Sequence, residues 1–184
     1  MISRKEAVQL LEENIQAGNM QKHCYASEAV MRAIARRLGR NEDEYGLAGL
    51  LHDIDVEITN ADPQTHGPHA KHLLKGKVSD EALDAIVMHN EVATGKQRST
   101  EFQHALAAGE TITGLIIATT LVYPDKKIAG VKPKSITKRM KQKAFAASVK
   151  RENILECEKI GIPLNEFAEL SLNAMKEIDE ELGL

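Results

Sequence analysis

Apolar residues along this chain recur at three- and four-residue intervals, and no alternating run of useful length appears. That period gives each of a series of helices one apolar stripe and leaves no half-buried strand to pair. Capping side chains open the runs, and glycine or proline closes them. Ser3 with Glu6 makes a capping-box pattern ahead of Val8, Leu11 and Ile15, and Asn41 with Glu44 precedes Leu47, Leu50 and Leu51. Ser79 stands before Leu83, Ile86 and Val87, and the helix it opens runs to His89. A longer run from Thr100 to Pro124 puts Phe102, Leu106, Glu110, Thr113, Ile117 and Leu121 on one face. Further helices are expected over about Gln21–Leu38, Ala70–Lys75, Ser135–Val149, Glu152–Ile160 and Leu164–Leu182. The expectation is an all-α bundle of about eight helices, one domain over 1–130 with a C-terminal helical extension over 131–184 packed on it.

Composition narrows the function classes. Aromatic residues are 3% of the 184 and tryptophan is absent, too few for a stacking platform for bases. Cys24 and Cys157 form no CxxC, which excludes a disulfide framework or a cysteine zinc site and points to a reducing compartment. The apolar run Ile112–Val122 is short for a bilayer crossing, and Met1–Ile15 carries acids in an amphipathic pattern unlike a signal peptide. A cytoplasmic protein without a membrane partner is expected. Charge is unevenly spread: ten of 24 Lys and Arg and none of the 27 acids lie between Lys126 and Arg151. The remaining 14 basic residues against 27 acids leave the rest of the chain at −13. Such a segment serves as a positive face toward a phosphorylated substrate or a nucleic acid, or as a solvated helix face beside an acidic body.

Position selects among the seven histidines. His23 precedes Ala26 and Val30 on a buried stripe, His52 adjoins Leu51, and His89 follows Ile86 by three. They are either separate core histidines or a group converging at the ends of three inward faces. Glu110 lies on the apolar stripe of its helix, and a buried carboxylate needs a basic partner or a metal. Asp53 follows His52 at a helix end, where relaxed backbone lets both turn toward one ion. His23, His52, Asp53 and Glu110 then offer two nitrogens and two carboxylates, a set that suits zinc, manganese, iron or a similar divalent ion and not a calcium cage.

The sequence Leu50-Leu51-His52-Asp53-Ile54, within AGLLHDID, resembles the signature of the HD-domain metal-dependent phosphohydrolases, and of their HDIG-type group in particular. The stretch from His23 to Asp53 is similar to that family's span from its first metal histidine to its His-Asp doublet, and the likeness extends over about Gln21–Val122. The resemblance implies an HD-domain-like helical bundle with His23, His52 and Asp53 as metal ligands. Glu110 stands where the family usually has its last metal-binding aspartate, its extra methylene moving the carboxylate by up to ~1.5 Å. Asp55 stands where the HDIG pattern has glycine, either as a partner of a ligand or as a solvated acid. Some family members hold a second metal with further histidines, and His66 and His89 occupy fitting positions; His69 and His72 would face phosphate or solvent. His104 falls off the buried stripe and is given no role.

The same resemblance implies hydrolysis of a phosphomonoester or phosphodiester, nucleotide-like, with one or two divalent ions (Mn, Mg, Co, Ni, Fe or Zn). Asp53, His66 and His89 are the expected catalytic residues, Asp53 orienting water and a histidine binding the second ion or donating to phosphate. The alternative is a non-catalytic HD-type module in signalling or ligand binding, which Glu110 favours.

Overall fold

A computed structural model describes residues 1–184, and every regular element in it is helical. Eleven α-helices follow in order: α1 (Arg4–Asn14), α2 (Gly18–Leu38), α3 (Glu42–Leu51), α4 (Ala70–Leu74), α5 (Asp80–Met88), α6 (Glu91–Thr94), α7 (Glu101–Leu121), α8 (Pro133–Met140), α9 (Arg151–Ile154), α10 (Leu164–Lys176) and α11 (Asp179–Leu182). Two 3₁₀ turns, Ile128–Gly130 and Leu155–Ile160, join the later ones. The caps lie where the sequence places them. Ser3 and Glu6 complete a capping box, Asn41 accepts from Asp43 and Glu44 N–H, and Ser79 accepts from Ala82 N–H.

The two 21-residue helices α2 and α7 form the centre, with α3 and α5 on one side and α10 on the other. Glycines set the closest approaches. A Cβ on Gly49 of α3 would stand 2.6 Å from the Ser27 carbonyl oxygen of α2, and one on Gly109 of α7 would stand 2.9 Å from Met31 Sδ. Backbone blocks any side chain at Gly49, whereas at Gly109 the Met31 side chain would have to give way; these crossings bring the start of α2, the end of α3 and the middle of α7 together. Ala17 has no capping side chain; Glu57, from the segment after α3, accepts from the N–H groups of Gln16 and Ala17 instead and anchors that segment to the N-terminus of α2.

α7 is buried almost all round, so the single-stripe reading of it fails: His104 is buried, while Leu121 is half exposed. This helix is long and apolar enough to cross a membrane, a reach the shorter Ile112–Val122 run does not have, but 72% of its most apolar window is inside the protein, as in the core helix of a globular fold. Ile136, Met140, Phe167, Leu172 and Met175 join the same core as α2 and α7, so the C-terminal helices pack on the first part of the chain.

The basic segment differs from its sequence reading. α8 begins with Pro133 at its first turn rather than at Ser135, and stops at Met140 rather than Val149. Beyond it the chain turns, with Ala146 at φ 46°, and Ala144 and Ala147 are exposed instead of continuing an apolar stripe. Arg151 explains the turn: its guanidinium donates to the carbonyls of Phe145, Ala146 and Val149, bonds that hold the backbone out of a continuing helix. The C-terminal run expected as one helix is α10 and α11, interrupted at Ile178.

Candidate metal centre

Helix ends supply most of the site. His23 comes from the second turn of α2, His52 and Asp53 directly follow α3, and His89 directly follows α5. His66 comes from the turns between α3 and α4.

Every one of these imidazoles has its Nδ1 engaged by the protein. His52 Nδ1 is 2.8 Å from the Gly49 carbonyl oxygen, and His89 Nδ1 is 2.5 Å from that of Ile86. His66 Nδ1 is 2.8 Å from Asp55 Oδ1. His23 Nδ1 is 3.0 Å from Thr113 Oγ1, whose own proton goes to the Glu110 carbonyl 2.6 Å away. Carbonyls and carboxylates only accept, and the Thr113 hydroxyl has spent its hydrogen, so each neutral ring carries its proton on Nδ1 and presents a bare Nε2. The Nε2 atoms face one another, 3.2 Å apart between His23 and His52 and 3.0 Å apart between His66 and His89. Lone pairs at that distance repel unless a positive charge stands between them.

Asp53 completes both pairs. Its Oδ2 lies 3.5 Å from His23 Nε2 and 3.3 Å from His52 Nε2, while Oδ1 lies 3.1 Å from His66 Nε2 and 3.5 Å from His89 Nε2. The result is two triads, His23–His52–Asp53 and Asp53–His66–His89, that share one carboxylate. Ligand atoms ~2.1 Å from one cation stand about 3.0–3.4 Å from one another in octahedral or tetrahedral sites, so the spacing fits a divalent ion in each triad. Tying the second ring nitrogen to a carboxylate or carbonyl is how metal-binding histidines are usually oriented.

Protons compete with a cation for the same atoms. Burial disfavours the charged form of Asp53, yet the imidazoles of His52, His66 and His89 hold it well below the usual carboxylate range. Burial likewise opposes a charge on His66, but Asp53 and Asp55 on either side raise it to about 10, so metal and proton compete for this ring. At His52, Asp53 outweighs burial and the pKa is raised; at His23, burial and the neighbouring His52 charge lower it.

Asp55 is a partner of His66 and no solvated acid. It is fully buried, and besides His66 it accepts from Gly67 N–H at 2.8 Å and Ala70 N–H at 3.0 Å. Its pKa is lowered, burial being outweighed by the bond from His66. Glu110 stands at the edge of the cluster. It is partly buried on the wall of the same pocket with Oε2 3.9 Å from His23 Nε2, and Thr111 Oγ1 donates to its Oε1, but it belongs to neither tight triad. His69 and His72 pack edge to face with each other away from the cluster, His72 exposed.

Sequence reasoning missed the buried group behind the site. Arg98 donates to the carbonyls of Met88 and His89 at 3.2 and 3.1 Å, holding the end of α5 that carries His89. The same guanidinium pairs with Glu156 and with Asn153 Oδ1, and His104 Nδ1 stands 2.7 Å from Glu156 Oε2. Only the stop in helical periodicity around Gln97 and Arg98 sets this arginine apart in the sequence, because Asn153 and Glu156 lie more than fifty residues downstream.

The sequence model of the HD domain matches residues 20–120, just over half of the chain and every residue of both triads. The chain belongs to the HD-domain family. HD domains bind divalent metals, and the His/Asp cluster of this one can hold such an ion. No curated protein and no solved structure matches the chain.

Proposed function

We propose that this HD-domain protein is a metal-dependent phosphohydrolase that cleaves a small phosphomonoester or phosphodiester, nucleotide-like in size and charge. The observation that carries the reading is the pair of triads sharing Asp53, four of whose five residues line an open pocket of about 390 Å³. That volume suits a small ligand. Divalent ions held there supply positive charge to a phosphoryl oxygen and make water acidic enough to attack near neutral pH.

The chain's own residues divide the remaining tasks. Asp53 bridges the triads, which supports a role for its carboxylate in orienting a water between them. His66 and His89 have Nδ1 spent on Asp55 and on the Ile86 carbonyl, which favours holding an ion over donating a proton to phosphate. Glu110, at the pocket wall beside His23, suits an outer ligand or a proton acceptor for the attacking water.

The test is elemental analysis of the purified protein followed by a phosphatase and phosphodiesterase panel with Mn, Mg, Co, Ni and Fe(II). Turnover that requires metal and disappears in Asp53→Ala is expected. A protein that loads metal yet cleaves nothing in the panel supports the non-catalytic HD module instead.

A further inference from the structure

His23, Asp53, His66 and His89 of the triads line the pocket together with residues beyond the HD match: Ser148, Val149 and Lys150 from the turn after α8, and Asn153 from α9. This wall is fixed in place. Arg151 ties down the carbonyls of Ala146 and Val149 at 2.8 and 2.7 Å. Gly114 on α7 leaves room for Val149, whose Cγ2 a Cβ there would meet at 3.3 Å, and Asn153 Nδ2 reaches Thr111 Oγ1 at 3.4 Å.

The donors around the pocket are mostly committed to the protein. Asn90 Nδ2 goes to the carbonyls of Pro63 and His66, the Thr111 hydroxyl goes to Glu110, and the Asn153 side chain is shared between Arg98 and Thr111. Ser148 and Lys150 are exposed, and neither side chain has a hydrogen-bond or ion-pair partner in the protein. Lys150 is also the only Lys or Arg lining the pocket; Lys138 and Lys141 line a separate cavity with Lys134 and Lys143. Of the whole basic segment, Lys150 is therefore the one cationic residue that lines this pocket.

We infer that Lys150 and Ser148 are the phosphate-holding wall of this pocket, binding the oxygens of a substrate phosphate that face away from the triads. A lysine acts there as a point charge and a serine hydroxyl as a donor, which is the usual division at phosphate sites. The inference rests on the phosphohydrolase reading and adds to it that the segment outside the HD match completes the substrate site.

The experiment is a calorimetric titration of the full-length, Mn²⁺-loaded protein with inorganic phosphate, at two salt concentrations. Wild type is expected to bind phosphate, Lys150→Gln to bind about tenfold more weakly with a flatter salt dependence, and Lys150→Arg to stay within about threefold. Ser148→Ala is expected to lose less, about threefold. Metal content and melting temperature should be unchanged in all three variants. Equal phosphate affinity in Lys150→Gln and wild type overturns the inference and leaves the phosphohydrolase reading standing. Loss of metal from Lys150→Gln also overturns it, since the residue would then be structural. Wild-type protein that carries metal but takes up no phosphate overturns the phosphohydrolase reading itself.

Discussion

Asp55→Asn isolates what one buried carboxylate does for one metal ligand. Its Oδ2 accepts from Gly67 and Ala70 N–H, and its Oδ1 takes the proton of His66 Nδ1. An asparagine of the same shape keeps its oxygen on the two backbone donors and turns its NH₂ toward His66. His66 then has to accept at Nδ1 and carry its proton on Nε2, the atom 3.0 Å from His89 Nε2 and 3.1 Å from Asp53 Oδ1. The second triad loses a ligand while the backbone keeps its bonds. Removing a hydrogen-bond partner of this kind typically costs 10–100-fold in metal affinity, about 1.4–2.8 kcal/mol. Asp55→Ala is the poorer probe, because it also orphans two buried N–H groups at roughly 1–3 kcal/mol each. Mn²⁺ titration by calorimetry, with ¹⁵N chemical shifts of His66 to read its tautomer, should show one site weakened by that factor and the ring inverted. Two sites of wild-type affinity, or an unchanged tautomer, would refute the reasoning.

Single contacts give the other expectations. Gly49→Ala puts a methyl 2.6 Å from the Ser27 carbonyl oxygen, so a loss of about 3 kcal/mol in denaturant unfolding is expected, and a stability equal to wild type would contradict the close α2–α3 crossing. Burial pushes Glu156 up, but Arg98 and His104 hold its pKa below the ordinary 4.5. Its pairing therefore stabilises the fold above that value, and the stabilisation fades as pH falls through the lower folded-state pKa. Denaturation from pH 7 to pH 3 should show the advantage of wild type over Glu156→Gln shrinking only at the acid end; a gap constant with pH contradicts the pairing. Glu110→Gln should leave both triads loaded with metal while lowering turnover, and Glu110→Asp should keep the metal. Loss of an ion from Glu110→Gln would show that this carboxylate closes onto a triad.

The range of each interaction separates the features legible in the sequence from the hidden ones. Ser3, Asn41, Ser79 and Thr100 each bond within four residues of themselves, and so the helix starts were readable. The His52-Asp53 doublet, His23 and His89 were readable because they sit on or beside inward faces. Asp55 stayed open between two roles, since the donors that decide it lie 11 to 15 residues on. Arg98, Asn153 and Glu156 were hidden because the side chains that join them to each other, to His104 and to Thr111 lie 42 to 58 residues apart in the chain. The helix read through Val149 failed for the opposite reason: Ile136, Met140, Ala144 and Ala147 keep a helical spacing, but Arg151 takes the carbonyls that a helix would have used.

The central claim is that Asp53 bridges two cation sites, and counting ions tests it most directly. Wild-type protein and Asp53→Ala, each dialysed against excess Mn²⁺ and then against buffer, would be assayed by elemental analysis, with circular dichroism confirming that both remain helical. Two ions per chain in wild type and none retained in Asp53→Ala is the predicted result, because both triads lose their shared oxygen donor. Equal metal content in the two proteins would contradict the account.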